Sequence, residues 1–428
     1  MRRRRAGKPG SPGGRRAVER HSLATSRLLH DTSSRAFPPS RYPPLSRYSL
    51  FTILAATFLA LAVMYAPQPL LPHFARHFGV SEADAAALIT WSLLPMGLAP
   101  LGMGLLMQRI APRRLLAAGL LLLGLTELAF ARADAFALLC GLRFVQGALV
   151  AALLAATMTY IAGQATRMQH VMAYFVAASI VGGLAGRVFA GFLAAHTTLQ
   201  AAFLYIGLGV LAAAVMAWRL PVGSTPPRRT IRLARLFSAL NEPGFVRLFG
   251  VMFALFFVYT ALLNFIPFRL RTLDPTLGSG TIGLSYLGLL LGLVASLRAV
   301  ALARRLGHPL RAVALGSLLL AAGIGIAAVP TVAFVMTSVF AVTAGLFLAH
   351  TVLVGDLNAL AGTEAASVNS LYVAFYYTGG TLGSYLPGLL YERAGWLAFI
   401  ALLLTFALGG LVLTSRALHT RMQERMEG

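Results

Sequence analysis

Apolar residues run along this chain in long unbroken stretches, and polar residues are confined to short gaps between them. A helix of about 20 apolar residues crosses the ~30 Å hydrocarbon core of a bilayer. The pattern predicts twelve such spans: 50–72, 83–107, 113–132, 135–162, 168–194, 199–219, 246–268, 280–302, 311–329, 331–355, 368–390 and 396–415. A polar gap over 220–244 divides them six and six. The first 46 residues, rich in Arg, Ser and Pro, contain no apolar run and so no secretory signal. They predict a disordered basic tail, although their Arg-rich, acid-poor character faintly resembles a transit peptide. The expected organisation is a tail (1–47), a six-helix bundle (48–219), a cytoplasmic linker (220–244), a second six-helix bundle (245–416) and a C-terminal tail (417–428). This is an all-α polytopic membrane protein.

Composition strengthens that reading. Hydrophobic residues make up 58% of the chain and charged ones 11%, too few charges to coat a soluble surface of this size. A net charge of +23 would suggest nucleic acid in a soluble protein. Here the cations lie between apolar runs, where they act as topology signals. One side of the membrane receives the N-terminal tail, Arg109, Arg113, Arg114, Arg167, the 219–247 gap, Arg304, Arg305, Arg311 and the C-terminal tail. The other receives Arg76, Arg132, Arg269, Arg271 and Arg393. That bias, 28 cations against 5, predicts that both termini are cytoplasmic. The segment 356–367 departs from it, carrying Asp356 and Glu364 without a cation. The single cysteine, Cys140, excludes a disulfide framework and a Cys-based metal site. No metal, cofactor or nucleic acid is expected.

The chain also repeats itself. At a shift of 197, Val176, Ala177, Gly182, Gly183, Gly186, Gly191 and Leu193 fall on Val373, Ala374, Gly379, Gly380, Gly383, Gly388 and Leu390. At a shift of 196, Gln68 falls on Asn264. Two pseudo-symmetric six-helix bundles in parallel follow, with a binding site expected near the axis between them, at mid-membrane.

These features come with recognisable motifs. Span four carries Arg143-x-x-Gln146-Gly147, and span five carries Gly182-Gly183-Leu184-Ala185-Gly186-Arg187. The end of span one holds Tyr65, Gln68, Pro69 and Pro72. Over roughly residues 48–420 the chain resembles the major facilitator superfamily, in particular its drug:proton-antiporter-type and arabinose-efflux-permease-like bacterial exporters. The resemblance implies an R-x-x-Q-G motif of proton-coupled members at Arg143, Gln146 and Gly147. It also implies a glycine-rich antiporter motif in span five, with Gly183 standing where a proline is usual. The loop after span two departs from the family pattern G-x-x-x-D-R-x-G-R-R. Gly104 is kept, but Gln108 replaces the aspartate and Ala111 the glycine, ahead of Arg113 and Arg114. A second copy, Arg304-Arg305-Leu306-Gly307-His308-Pro309, is similarly degenerate. Without the aspartate, the usual charged latch between halves does not follow.

The buried polar residues are the candidates for chemistry. At 1.5 Å rise per residue, Arg143 lies about 12 Å in from the outer face, and Glu127 on span three about 9 Å in from the same face. The two could pair, with protonation of Glu127 releasing Arg143 to substrate; packing alone is the other reading of Glu127. A cation at such depth costs roughly 2.5–3.5 kcal/mol on insertion scales, so a compensating partner or use is expected. Gln146 lies one turn from Arg143 on the same helix face. With Arg143, the residues expected to line a substrate cavity are Tyr65, Gln68, Gln146, Asn264, His350, Tyr376 and Tyr377. For the tyrosines the alternative is packing or an interfacial belt. For His350 it is a helix–helix hydrogen bond. Arg187 reads either as an interfacial or interhelical cation or as functional, and Arg298 as a snorkelling side chain. Gly104, Gly147, Gly182, Gly183, Gly186, Gly379, Gly380 and Gly383, with Arg187, are expected at packing or gating contacts, the glycines permitting close, sliding helix contact.

The combined expectation is a secondary active transporter, a monomer in a bacterial inner membrane, moving a small organic molecule by proton-coupled efflux. A membrane-embedded enzyme and a non-transporting receptor or scaffold of the same fold are the alternatives. Against the enzyme, the chain shows no paired His and Asp at catalytic spacing, no nucleophile elbow and no phosphate-binding loop.

Overall fold

A computed structural model describes residues 46–164, 168–221 and 239–427, without the side chains of 100–109, 162–170, 363, 366 and 424–427. The predicted tail up to residue 45, Arg167 and most of the linker thus fall outside what is described, as do the surroundings of the motif residues Gly104, Gln108 and Arg109.

Among the described residues every regular element is helical. The first six spans are α1 (Arg47–Tyr65), continued through a tight turn at Gln68–Leu70 by α2 (Leu71–Phe78), then α3 (Glu82–Arg109), α4 (Pro112–Arg132), α5 (Phe136–Gln164), α6 (Met168–His196) and α7 (Leu199–Trp218). The second set is α8 (Pro243–Leu273), α9 (Ser279–Leu284) with its continuation α10 (Leu289–Arg305), α11 (Pro309–Ala327), α12 (Val332–Ala361), α13 (Ala365–Gly383) and α14 (Leu386–Glu427). Ten runs of these helices are long and apolar enough to cross a membrane. One of them, Ser367–Gln423, is interrupted at Ser384–Tyr385 and again at Gly395, whose φ of 78° breaks α14. With α3 added, the path is consistent with twelve spans.

Local sequence sets the ends. Proline occupies the first turn of α4, α8 and α11, where a missing N–H leaves no acceptor unsatisfied. Ser46, Thr198 and Thr331 accept a backbone N–H three residues on, as N-caps do. Gly79, at φ 61°, closes α2 in the left-handed region. Two boundaries differ from the sequence reading. Span one continues to Phe78, beyond 72, because the tight turn at Gln68–Leu70 absorbs Pro67 and Pro69 without ending the helical path. The expected tail from 417 is helical, and its Arg421 forms a 2.6 Å ion pair with Asp356. Asp356 therefore belongs to a helix with its own cation, not to an unpaired loop.

Packing repeats along with sequence. In the first half α1 lies on α6 and α7, α4 on α5 and α7, and α3 on α5. In the second half α8 lies on α13 and α14, α11 on α12 and α14, and α10 on α12, the same scheme shifted by six spans. Between halves α3 meets α13, and α6 meets α9; a twofold exchange carries each of these contacts into the other.

Glycines decide how near these helices come. A Cβ on Gly182 or Gly186 would lie 2.2 or 2.3 Å from the carbonyl oxygens of Phe58 and Ala62. On Gly379 or Gly383 it would lie 2.3 or 2.2 Å from those of Phe253 and Phe257. These crossings, α1 with α6 and α8 with α13, lie within each half, so they fix the halves internally where sliding contact was expected. The interface between halves uses other small residues: a Cβ on Gly191 would stand 2.6 Å from the Ser279 carbonyl, and one on Gly97 3.3 Å from Tyr377 Cβ. Because backbone blocks the added methyl, Gly383→Ala is expected to lower thermal stability in detergent by about 1–3 kcal/mol. Gly409→Ala, where the same methyl meets nothing within 4 Å, should cost nothing. Equal melting temperatures for the two variants would refute this account of the crossing.

Candidate functional site

The face at which α1 ends and α3 begins, here the far face, brings the buried polar residues together. At its centre α1 ends in Tyr65-Ala66-Pro67-Gln68-Pro69. Val63 is left with a free carbonyl, since the residue four positions on is Pro67, which has no N–H. Arg143, reaching from α5, fills that deficit. Its Nη1 donates to Val63 O at 3.0 Å and to Gln146 Oε1 at 2.9 Å. Its Nη2 donates to Met64 O and, at 2.9 Å, to Ser92 Oγ; its Nε donates to Leu88 O at 3.1 Å. A guanidinium has five N–H donors, and all five are used. Arg143 ties α1, α3 and α5 together, and Gly147 one turn on lets α5 approach: a Cβ there would fall 2.1 Å from Ser92 O.

Glu127 does not touch Arg143. Gln146 stands between them, accepting from Arg143 through Oε1 and donating from Nε2 to Glu127 Oε2 at 2.7 Å. The expected direct pair is replaced by an amide relay, because Gln146 lies one turn along α5 from Arg143 and faces α4. Glu127 is 1% exposed and its Oε1 has no hydrogen-bond partner. The expected release of Arg143 to substrate also changes in form, since no N–H remains free in this state.

Arg187 is the second buried cation, also 1% exposed, and its contacts are interhelical. Its Nε donates to Gln68 Oε1 at 2.5 Å and its Nη1 to Gly183 O at 2.8 Å. The Tyr65 ring lies 4.1 Å from its guanidinium carbon and the Tyr286 ring, from the other half, 5.1 Å. Tyr286 is itself held by its hydroxyl, which donates at 2.8 Å to Leu263 O, the carbonyl that Pro267 leaves free within α8.

Gln68 and Asn264, matched in the sequence repeat, meet each other: Gln68 Nε2 donates to Asn264 Oδ1 at 2.5 Å. The polar chain continues across the far face. Asn264 Nδ2 donates to Ser384 O at 3.4 Å, and the hydroxyls of Ser384 and Thr90 lie 2.6 Å apart. The Tyr385 hydroxyl donates to Asp84 Oδ1 at 3.4 Å, and Glu392 Oε1 accepts the Ala83 N–H at 2.7 Å. All of these bonds join one half to the other except Asn264 to Ser384, and together they hold the far face closed.

The remaining candidates gather in the second half. Tyr376 stacks on Phe256 with centroids 3.7 Å apart, and Tyr377 meets Tyr376 edge-on at 4.8 Å. A Cβ on Gly380 would strike the Phe256 ring at 2.4 Å, and one on Gly183 would come 3.3 Å from both Tyr65 and Arg187 Nη1. His350 Nδ1 bonds the Tyr372 hydroxyl at 2.6 Å, the helix–helix link weighed from sequence. Arg298 is exposed. Sequence reasoning missed Ser92, Thr90, Ser384 and Tyr286. Thr90 and Ser384 are small hydroxyls in apolar runs and carry no signal without a partner. Pro267, by freeing a carbonyl, was a usable hint to Tyr286.

Comparison with known proteins follows the same lines. The family model described as Major Facilitator Superfamily matches residues 53–377. The inner membrane transport protein YnfM of Escherichia coli (strain K12) is 26% identical over 385 residues, covering 87% of this chain and 90% of its own. The uncharacterized MFS-type transporter YybF of Bacillus subtilis (strain 168) is 23% identical over 372 residues, covering 85% and 92%. Among solved structures, the nucleoside transporter NupG superposes with a TM-score of 0.73 at 10% identity, over 86% of this chain and 99% of that one. A bacterial homolog of the human lysosomal transporter Spinster, in an inward-facing and unoccupied conformation, gives 0.67 at 14% identity, over 87% and 96%.

Proposed function

Because the chain belongs to the major facilitator superfamily, and so is a multi-pass membrane transporter and not an enzyme, we propose that it works by alternating access as a proton-coupled exporter of a small organic molecule. The observation that carries the coupling is Glu127: a carboxylate buried in a membrane span, one oxygen unpartnered, the other joined through Gln146 to Arg143. Ionisable residues at such depth are rare and tend to mark proton or ion paths. Protonation of Glu127 removes the negative charge that balances Arg143. The five bonds of Arg143 then hold a less compensated cation, and the tie between α1, α3 and α5 weakens. Closure of the far face by residues from both halves supports alternating access, since it describes one of the two states required.

Reconstituted protein under an imposed pH gradient tests this reading. Compound-dependent proton flux is expected, and Glu127→Gln, which mimics the protonated form, should fold normally yet transport without response to the gradient. Transport with no accompanying proton movement, or full pH response in Glu127→Gln, would sink the coupling; absence of all transport would favour a receptor.

Within this proposal the protein acts as a monomer in the bilayer of a bacterial inner membrane, with both termini in the cytoplasm. The 28-to-5 cation bias supports that orientation, and the name of the Escherichia coli relative fits the location. A reporter enzyme fused after α14 should be active only on the cytoplasmic side; activity outside the cell would reverse the assignment.

A further inference from the structure

The two buried arginines are compensated very differently. Arg143 spends all five N–H groups on acceptors and has the Glu127 carboxylate one amide away. Arg187 has two hydrogen bonds, to Gln68 and Gly183, and its Nη2 is buried without any. The Tyr259 hydroxyl is beside it, and aromatic faces cover it from both halves. Among the described residues no carboxylate lies within 4 Å of it. Burying a cation without a counter-charge is strongly unfavourable, and π faces and neutral acceptors offset only part of that.

Its place matters as much as its deficit. Tyr65 and Gln68 belong to the first half, Tyr286 and Tyr259 to the second, so the guanidinium sits where the halves must part. Nη2, without a hydrogen bond, and Nη1, with the Tyr259 hydroxyl as their neighbour, present the fork that receives the two oxygens of a carboxylate. Gly183, one turn before Arg187 on α6, leaves the guanidinium uncrowded on that side, since a Cβ there would come 3.3 Å from Nη1 and the Tyr65 ring.

We propose that Arg187 is the docking point for the carboxylate of the transported compound, an organic acid whose apolar or aromatic body rests against the tyrosines around it. This deepens the transport reading and rests on it. Arg143 in this scheme is a tie between helices, and Arg187 is the cation that meets substrate.

Thermal stability of the purified full-length protein reads the site without requiring transport. The probes are a panel of mono- and dicarboxylates, beginning with benzoate and octanoate, each compared with its amide. Acids are expected to raise the melting temperature where their amides do not. Arg187→Gln should raise the half-saturating acid concentration at least about tenfold, the scale of a lost charge-assisted hydrogen bond; Arg187→Lys should retain part of the response. If Arg187→Gln does not fold, Gln68→Glu carries the test. It places an internal carboxylate on the Nε of Arg187, at the loss of the amide donor to Asn264, and should abolish the acid response while the protein still melts cooperatively. The proposal is overturned if no acid is favoured over its amide, or if the acid response survives these substitutions. Gradient-driven transport of a neutral or cationic compound without any acid response would sink the carboxylate site and leave proton-coupled transport standing.

Discussion

Oxidation of a Thr90→Cys, Ser384→Cys pair in a Cys140→Ser background is expected to stop transport, and reduction to restore it. The two hydroxyls lie 2.6 Å apart, on helices of different halves, near the far face. A disulfide needs sulfurs about 2.05 Å apart with Cα atoms about 4.4–6.8 Å apart, so cysteines at these positions should join with little backbone movement. Removing Cys140, the chain's one native cysteine, leaves no competing thiol. Alternating access requires the far face to open, and a covalent bond across it would hold one state. Each single-cysteine variant should transport under both conditions. Cross-linked protein turning over at the parental rate would show that the far face need not part, and would remove the support for alternating access.

Replacement of Arg143 should have the other large effect. Arg143→Ala strips donors from four acceptors on neighbouring helices and from Gln146. Each buried acceptor left unsatisfied costs about 1–3 kcal/mol, and Val63 O has no helical N–H to fall back on. Transport is expected to vanish together with a loss of at least about 2–3 kcal/mol of stability. Arg143→Lys, with three donors in place of five, should fall between. Glu127→Gln separates structure from coupling, because an amide can occupy the same place and bond Gln146 without carrying charge. Arg143→Ala with parental melting temperature would mean that the arginine does not bind α1, α3 and α5 as described.

The spans were legible because hydrophobicity in a bilayer is a property of the run and needs no partner. The repeat was legible too, and it led to two pseudo-symmetric six-helix bundles without saying which helices pack on which. What could not be read was contact between distant segments. Arg143 and Glu127 were placed at matching depths, yet depth along a helix says nothing of azimuth, and Gln146 fills the space between them. Arg187 was counted near the end of its span. Its burial depends on Tyr286, roughly a hundred residues away, and on Gln68 at the turn after α1. Asp356 looked like a break in the charge pattern until Arg421, 65 residues on, came to rest beside it. Pro67 stood in the sequence inside the Tyr65–Pro72 motif but was not singled out, and its consequence was not drawn: it frees a carbonyl for a side chain to claim.

The bond between Gln68 and Asn264 says something about descent. If the two halves arose from one six-helix unit, that unit first assembled with an identical copy, and any residue on the twofold axis faced itself. Two cations or two carboxylates in that position repel. An amide carries a donor and an acceptor and is complementary to its own image, so it can bond across the axis from the first symmetric dimer onward. Once the copies were fused, each side could lengthen or shorten by one methylene without breaking the bond, which is the difference between the two residues now present.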